Sequence, residues 1–308
     1  MRMTLAMAMI TLGLLEAGCD RHAGSADGGA PPEKRPVVYV VNYPLQYFAQ
    51  RIAGDRAQVR FPVPAGRDPA SWLPAPDRIA EFQSADLIVL NGAGYAKWVE
   101  TASLPPSKVV NTSASFSDAY IEATGTMTHS HGPAGAHTHA GTAVTTWIDF
   151  RQAAAQAQAI GDALTALRPG QADLVGANLG ALRDDLLGLD ARMKEIARRI
   201  GDTPLIASHP VYQYWARRYG LNVRTVTWEP DVVPDAEALG ELKSILTGHP
   251  ARVMIWEGEP DSRSVELLGS VGLASMVFNP CGNVPQRGDF LTVMRQNIAD
   301  IERVGASP

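Results

Sequence analysis

This chain of 308 residues contains very little cysteine and has no surplus of positive charge. Only two cysteines are present, which excludes a disulfide framework and a four-thiolate zinc finger. The 27 Lys and Arg residues are outnumbered by 32 Asp and Glu, giving a formal net charge of -5. Because a nucleic-acid partner requires basic residues that neutralise phosphates, none is expected.

Long hydrophobic stretches and known catalytic motifs are also missing. Hydrophobic residues make up 45% of the chain and charged residues 19%, which excludes a disordered chain, a collagen-like chain and a polytopic membrane protein. The chain contains no Gly-x-Ser-x-Gly, no phosphate-binding loop and no His-Glu-x-x-His. An enzyme is therefore not expected, and the length suits one large domain or two medium ones.

Residues 1–19 have the pattern of an export signal. Arg2 precedes an apolar run from residue 3 to residue 15, which is too short to span a membrane. The run ends in Glu16-Ala17-Gly18-Cys19, which resembles a bacterial lipobox except at Glu16. We predict that Cys19 is acylated and anchors the mature chain to a membrane, whereas an ordinary secretory signal is the alternative. Either signal places the protein outside the cytoplasm, in the periplasm or at the cell surface, with residues 20–36 as a flexible tether.

Short apolar runs alternate with helical stretches beyond residue 36. The first run, Val37 to Val41, is typical of a buried parallel strand. The alternation predicts βαβ units and parallel sheets. We predict further strands at 58–63, 85–90, 108–111, 204–208, 223–228, 253–256 and 275–278.

The clearest periodic pattern lies between residues 171 and 200. Residues that are apolar except at Asn178 recur there at spacings of three or four, in the series Leu174, Asn178, Leu182, Leu186, Leu189, Met193, Ile196 and Ile200. The pattern predicts one helix about 45 Å long. A coiled coil is less favoured because the heptads are few. The fold class expected is therefore α/β, with two parallel-sheet lobes (37–170 and 201–308), one long backbone helix joining them, and a ligand cleft between the lobes.

Residues 124–142 of the first lobe lack apolar periodicity and are predicted to form a long loop. This segment contains four of the seven histidines, at His129, His131, His137 and His139. Two His-x-His pairs can place several imidazoles around one Zn²⁺ ion. A solvated loop of accidental composition is the alternative interpretation.

Several short motifs are distributed over both predicted lobes. They include Val41-Asn42-Tyr43-Pro44, Pro64-Ala65-Gly66-Arg67-Asp68-Pro69, Trp72-Leu73-Pro74-Ala75-Pro76 and Ser208-His209-Pro210-Val211-Tyr212. In this order the motifs resemble the zinc-type periplasmic solute-binding proteins of zinc and manganese ABC transporters. The resemblance implies the same two-lobed fold, a histidine-rich loop, and a monomer that delivers an ion to an ABC permease and its ATPase.

The resemblance also implies a metal site that this chain has largely lost. Family members of the zinc type use three histidines and an aspartate, and the matching positions here are Ala70, Thr145, His209 and Asn279. Only His209 keeps its ligand. Alanine has no donor atom, and neutral threonine and asparagine are poor zinc ligands.

Other side chains near the predicted cleft could replace the lost ligands. His209 follows a predicted strand, and Glu257 and Glu259 follow the strand at 253–256. Cys281 lies two residues beyond Asn279 and could offer a thiolate. Each also has a structural alternative, as a hydrogen-bonded histidine, surface carboxylates or a buried free cysteine. His249, before Pro250, is expected to be solvated, and the tryptophans at 147, 215, 228 and 256 are expected to lie in the core.

The expected function is that of a metal solute-binding lipoprotein with Zn²⁺, or Mn²⁺ or another divalent ion, as its cargo. An alternative is a degenerate paralogue that acts as an accessory metal chaperone or sensor, or that binds a non-metal ligand in an aromatic cleft. The concentration of histidines predicts that residues 124–142 dominate zinc binding, with His209 joining them if the loop folds over the cleft.

Overall fold

The N-terminal lobe is built on a parallel sheet of four strands. A computed structural model describes residues 34–130 and 136–304, apart from the side chains of 123–140. The strands are β1 (Val37–Val40), β2 (Gln58–Arg60), β3 (Leu87–Leu90) and β4 (Val109–Asn111), in the order β2-β1-β3-β4. Alternate residues of β1 and nearly all of β3 are buried, as expected for central strands covered on both faces.

Helices α1 (Tyr43–Ala53), α2 (Pro76–Ser84) and α3 (Phe150–Leu167) surround this sheet. Side-chain caps begin two of them. The Asn42 side chain accepts a hydrogen bond from the Leu45 N–H at 3.1 Å, and Asp149 accepts from the first backbone N–H groups of α3. The Asn-Tyr-Pro motif is therefore a helix start, placed directly after β1.

The C-terminal lobe repeats the parallel arrangement. Its strands are β7 (Leu205–Ala207), β8 (Val223–Thr225), β9 (Val253–Trp256) and β10 (Ala274–Val277), in the order β10-β9-β7-β8. Its helices are α5 (Gln213–Tyr219), α6 (Ala236–Gly248), α7 (Ser262–Ser270) and α8 (Phe290–Val304). The expectation of two α/β lobes with parallel sheets is confirmed.

One long helix, α4 (Ala172–Ile200), packs on α1 and α3 of the first lobe and on α5 and α8. Its length matches the prediction, but its first turns bury other residues than the sequence pattern predicts. Leu174 is 39% exposed, whereas Val175 and Leu179 are buried. Leu179 takes the space opened by Gly161, where a Cβ atom would lie 2.7 Å from the Leu179 side chain. Asn178 instead donates a hydrogen bond to the Ile52 carbonyl at 3.0 Å.

The prediction that residues 124–142 form a loop is wrong. The chain forms an antiparallel pair of strands, β5 (Glu122–Ser130) and β6 (Ala136–Thr142). Threonine, which favours strands, recurs on both. Without alternating apolar residues, the ribbon lacked the usual sequence signal for a strand. The register pairs His129 with His137, while His131 lies outside the described residues.

No helix in the described ranges is both long and apolar enough to cross a bilayer. The predicted signal, Cys19 and most of the predicted tether lie outside the described residues. Export, acylation and tethering therefore stay predictions.

Candidate metal centre

Three adjacent strands of the C-terminal sheet bring three metal-ligating side chains together. His209, Glu229 and Glu257 follow β7, β8 and β9, and parallel strands end at the same edge of a sheet. One ligand atom from each residue lies within 4.8 Å of the other two. The His209 Nδ1 atom is 3.8 Å from the Glu229 Oε1 atom. This spacing suits three donors arranged around one ion.

The cluster is largely shielded from water. The side chain of His209 is 4% exposed and that of Glu229 is 13% exposed, while Glu257 is half-buried. Two carboxylates in a site of low dielectric repel each other, and burying them costs free energy unless a cation compensates. A divalent ion would neutralise both charges, so the electrostatics favour binding of a cation.

Backbone hydrogen bonds hold the three donor-bearing loops against one another. The Ser208 N–H donates to the Ile255 carbonyl at 2.8 Å, and the Trp228 N–H donates to the Ser208 carbonyl at 2.7 Å. The Asp261 N–H donates to the Pro230 carbonyl at 2.8 Å. The Phe278 N–H donates to the carbonyl of Trp256, which precedes Glu257, at 2.8 Å. Each donor residue is therefore adjacent to a fixed backbone contact, which preorganises the site.

Aromatic side chains pack beneath the cluster. The rings of Trp215 and Phe278 pack at a tilt of 52° with centroids 4.8 Å apart, and the Tyr212 hydroxyl donates to the Phe278 carbonyl at 2.7 Å. Burial raises the pKa of Tyr212 well above its usual value, and the negative charge of Glu257 raises it further. Tyr212 is therefore a neutral hydrogen-bond donor. All four tryptophans expected in the core are buried, which leaves little indole surface for a non-metal ligand: Trp147, Trp215, Trp228 and Trp256.

Of the four family ligand positions, His209 alone belongs to this group of His and Glu side chains. The Ala70 N–H donates to Asp68, and the Thr145 hydroxyl donates to the Val211 carbonyl. The Asn279 side-chain oxygen accepts from the Cys281 N–H at 2.7 Å. Thr145 and Asn279 thus use their oxygen atoms in local backbone contacts, and Ala70 has none to offer.

Residues 279–283, here called the bridging segment, tie the C-terminal lobe to the N-terminal lobe. The Trp147 indole N–H donates to the Pro280 carbonyl at 2.7 Å, and the Tyr43 N–H donates to the Gly282 carbonyl at 3.0 Å. The Asn283 side-chain amide donates to the carbonyls of residues 64 and 67, at 2.9 and 2.7 Å. The bridging segment therefore fills the region in which the family resemblance implies an aspartate ligand.

Two further candidates from the sequence lie apart from the cluster. Glu259 is exposed, and Cys281 is 2% exposed in a backbone conformation with φ of 60°. Burial raises the pKa of the Cys281 thiol to about 12, with a smaller contribution from the charge of Asp289. Cys281 is therefore a protonated thiol in the metal-free protein, and its Sγ atom is not among the ligand atoms that form the cluster.

The histidines of the β5–β6 hairpin are described by their backbone only. The register places His129 opposite His137, and His139 opposite Met127.

The expectation that His249 is solvated is wrong, because this residue is buried and its Nε2 atom lies 2.9 Å from the Leu205 carbonyl. A buried imidazole that satisfies a strand carbonyl has a structural role.

Glu229 is the site residue that the sequence reasoning missed. It directly follows the run predicted as a strand at 223–228, just as Glu257 follows the run at 253–256. The rule that ligands bind at the carboxyl ends of parallel strands applies equally to both. The family motifs point to other positions and do not identify Glu229 as a candidate ligand.

Comparison with known proteins identifies relatives over most of the chain. The family model described as "Zinc-uptake complex component A periplasmic" (ZnuA) matches residues 38–304. The chain is 26% identical over 296 residues to the high-affinity zinc uptake system protein ZnuA of Bacillus subtilis, covering 92% of each protein. It is 24% identical over 279 residues to the zinc-binding lipoprotein AdcA of Streptococcus pneumoniae, and this match spans 85% of the chain but only 54% of AdcA.

Solved structures share the fold. The metal-dependent lipoprotein YcdH of Bacillus subtilis superposes with a TM-score of 0.74 at 24% identity, covering 88% of this chain and 99% of YcdH. The Zn(II)-bound ZnuA-like domain of Streptococcus pneumoniae AdcA gives a TM-score of 0.75 at 20% identity, covering 89% of this chain and all of that domain. At these identities the superpositions establish the two-lobed architecture.

Proposed function

The chain belongs to the family of periplasmic zinc-uptake complex component A, and we propose that it captures a divalent metal ion outside the cytoplasm and delivers it to an ABC permease. The observation that carries the proposal is the group of His209, Glu229 and Glu257, whose ligand atoms lie within 4.8 Å of one another. Relatives are named for binding zinc or manganese.

The donor set suits the ions that these relatives bind. One imidazole and two carboxylates are established ligands of Zn²⁺, and carboxylate oxygens also suit Mn²⁺. Two negative charges balance the charge of a divalent ion. Zn²⁺ is the cargo we favour, since it accepts a small number of mixed nitrogen and oxygen donors.

Delivery completes the proposal. We propose a monomer anchored through Cys19 that delivers its ion to a permease and its ATPase. A relative named as a lipoprotein supports the anchor, and a relative named as part of a zinc uptake system supports the delivery. The family consists of transport components, and no catalytic role is proposed.

Equilibrium dialysis of the mature chain with Zn²⁺ tests the site. Glu229→Gln and Glu257→Gln each remove a charge and should weaken zinc binding by about tenfold or more. Glu259→Gln is the matched control, since this carboxylate is exposed and lies two residues from Glu257. Equal affinities in all three variants and the wild type would contradict the proposed site.

A second candidate is zinc capture by the hairpin, as an accessory chaperone or sensor would do it. The pairing of His129 with His137 favours this function, because the backbone register sets the two histidines directly opposite each other on neighbouring strands. Replacing His129, His131, His137 and His139 by alanine tests it. If the hairpin dominates, most zinc uptake disappears in that variant and persists in His209→Ala; the reverse result favours the cluster.

A further inference from the structure

A cavity of about 510 Å³ lies between helices α3 and α4, apart from the metal cluster. Its volume is in the usual range for a site that binds a small molecule. One face of α3 lines it with residues 151, 154, 155 and 158, and one face of α4 lines it with residues 183, 187, 190 and 194. The cavity therefore follows from the packing of two helix faces and shares no residue with the cluster.

The lining of this cavity carries a surplus of positive charge. Its charged residues are four cations and one carboxylate, namely Arg151, Arg183, Lys194, Arg218 and Asp190. The surplus is three positive charges, or two when Asp149 is included, whose carboxylate lies 3.6 Å from Arg218. The chain as a whole has a net charge of -5, so the cavity is positive on an acidic protein. A bound anion would relieve the repulsion among these cations.

Two of the cations are fixed by the buried carboxylate of Asp190. Arg218 lies 2.8 Å from it and Lys194 lies 3.1 Å from it. Because one carboxylate carries one negative charge, it cannot neutralise both cations. Arg218 and Lys194 therefore give the wall of the cavity a positive potential while they stay in fixed positions.

The other two cations, Arg151 and Arg183, are exposed and have hydrogen-bond donors to spare. Arg183 donates to the Gln158 side-chain oxygen at 2.7 Å, and the Gln158 amide donates to Asp162 at 2.8 Å, which orients Arg183. Within residues 34–122 and 141–304, whose side chains are described, neither Arg151 nor Arg183 forms an ion pair. A guanidinium has five N–H donors in a fork that fits two oxygens of one oxyanion.

The arrangement of the two arginines determines which anion fits best. Arg151 lies on α3 and Arg183 lies on α4, while the small side chains of Ala154 and Ala155 leave room between the helices. A carboxylate has two oxygens in one plane, whereas a phosphate group presents oxygens in several directions. A phosphate can therefore accept hydrogen bonds from both helices, and more than one negative charge is needed to balance the surplus.

We propose that this cavity binds a small oxyanion of the phosphate class with at least two negative charges, held by Arg151 and Arg183. The site goes beyond the proposed function, because it requires no metal ion at the cluster. Phosphate chemistry also occurs in lipid headgroups, whose phosphodiesters carry one negative charge. The number of charges on the ligand separates these two sources.

Isothermal titration calorimetry of the full mature chain with pyrophosphate tests the proposal. The protein is first dialysed free of metal, because pyrophosphate chelates divalent ions. At low ionic strength we expect one saturable site with a Kd of about 1 mM or tighter. Dimethyl phosphate has the single charge of a lipid phosphodiester and should bind at least about tenfold more weakly.

Two variants and a matched control locate the site. Arg151→Gln and Arg183→Gln each remove a charge and a guanidinium fork, and each should raise the Kd for pyrophosphate about tenfold or more. Arg198→Gln removes the same charge from an exposed position of α4 outside the cavity, and it should change the Kd by less than about twofold. Circular dichroism and thermal unfolding show that the variants are folded.

Three results would overturn the inference. The first is the absence of saturable binding of pyrophosphate to the wild type. The second is an equal loss of affinity in Arg183→Gln and Arg198→Gln, which would show a response to net charge alone. The third is equal affinity for pyrophosphate and dimethyl phosphate. Dialysis with Zn²⁺ tests the proposed function separately, since the cavity and the cluster have no residue in common.

Discussion

Replacing Asp190 by asparagine should destabilise the protein strongly without touching the metal cluster. The Asp190 carboxylate lies on α4, and its side chain is 8% exposed. It accepts two hydrogen bonds from the Arg218 guanidinium, each 2.8 Å long, and one from the Tyr219 hydroxyl at 3.2 Å. Lys194 lies 3.1 Å away but is half exposed, so it contributes little. The pair therefore joins α4 to α5 in a mostly buried position.

The expected loss is about 3 kcal/mol of unfolding free energy. Breaking a buried ion pair costs about 3 to 5 kcal/mol, and this pair falls at the lower end because Arg218 is 18% exposed and keeps the Asp149 carboxylate 3.6 Å away. For a protein of this size, that loss lowers the melting temperature by roughly 5 to 9 °C. Chemical denaturation and calorimetry measure both quantities. Asp184→Asn, at an exposed position on the same helix, is the control and should change the free energy by less than about 0.5 kcal/mol.

The effect should depend on pH with a definite sign. Burial by itself would raise the pKa of Asp190, but the hydrogen bonds and charges of Arg218 and Lys194 together hold it below its ordinary value of 3.8. Its stabilisation is therefore present above about pH 4 and is lost as the pH falls through the lower folded-state pKa. The difference between wild type and Asp190→Asn should shrink in that acidic range. A difference that is below 1 kcal/mol at pH 7, or that grows on acidification, would refute this reasoning.

Three further predictions concern other parts of the chain. Asn283→Ala removes two hydrogen bonds between the bridging segment and the N-terminal lobe, and denaturation should show a loss of about 1 to 3 kcal/mol; an unchanged curve would mean that these contacts are not formed in solution. Because the pKa of Cys281 is raised to about 12, its alkylation at pH 8 should be slow in the folded protein and fast in denaturant, and equal rates would argue against burial. The Cys19→Ala variant should be absent from the membrane fraction. If the variant remains there, acylation of Cys19 is not the anchor.

Secondary structure was predictable where the sequence pattern matched the packing. The apolar periodicity at 171–200 predicts α4 to within one residue of its observed start, because a long repeated pattern determines which residues face inward. Continued back to the start of the helix, the same pattern predicts that Leu174 and Asn178 also face inward, which the structure does not show. The orientation of the first turns of α4 depends on the close contact of Leu179 with Gly161, a residue of α3. A contact with another helix leaves no pattern in the sequence of α4 itself.

The metal cluster was predictable in part. His209 and Glu257 were identified because they follow recognisable strands, whereas the pairing of β7 with both β8 and β9 is a tertiary property that short local patterns do not reveal. That pairing adds Glu229 to the cluster. The sequence does not predict the hairpin, because residues 122–142 lack the alternating apolar residues by which strands are recognised.

The position of each donor on its own loop has an evolutionary consequence. His209, Glu229 and Glu257 lie beyond three separate strands, and the strands stay paired through backbone groups whatever side chains follow them. One donor can therefore be exchanged by a single codon change without rebuilding the sheet. Glutamate to histidine at either carboxylate would make the site softer and less negative, whereas the reverse change at His209 would favour harder ions. In the proposed site, one amino-acid substitution can thus alter the metal preference while the scaffold stays the same.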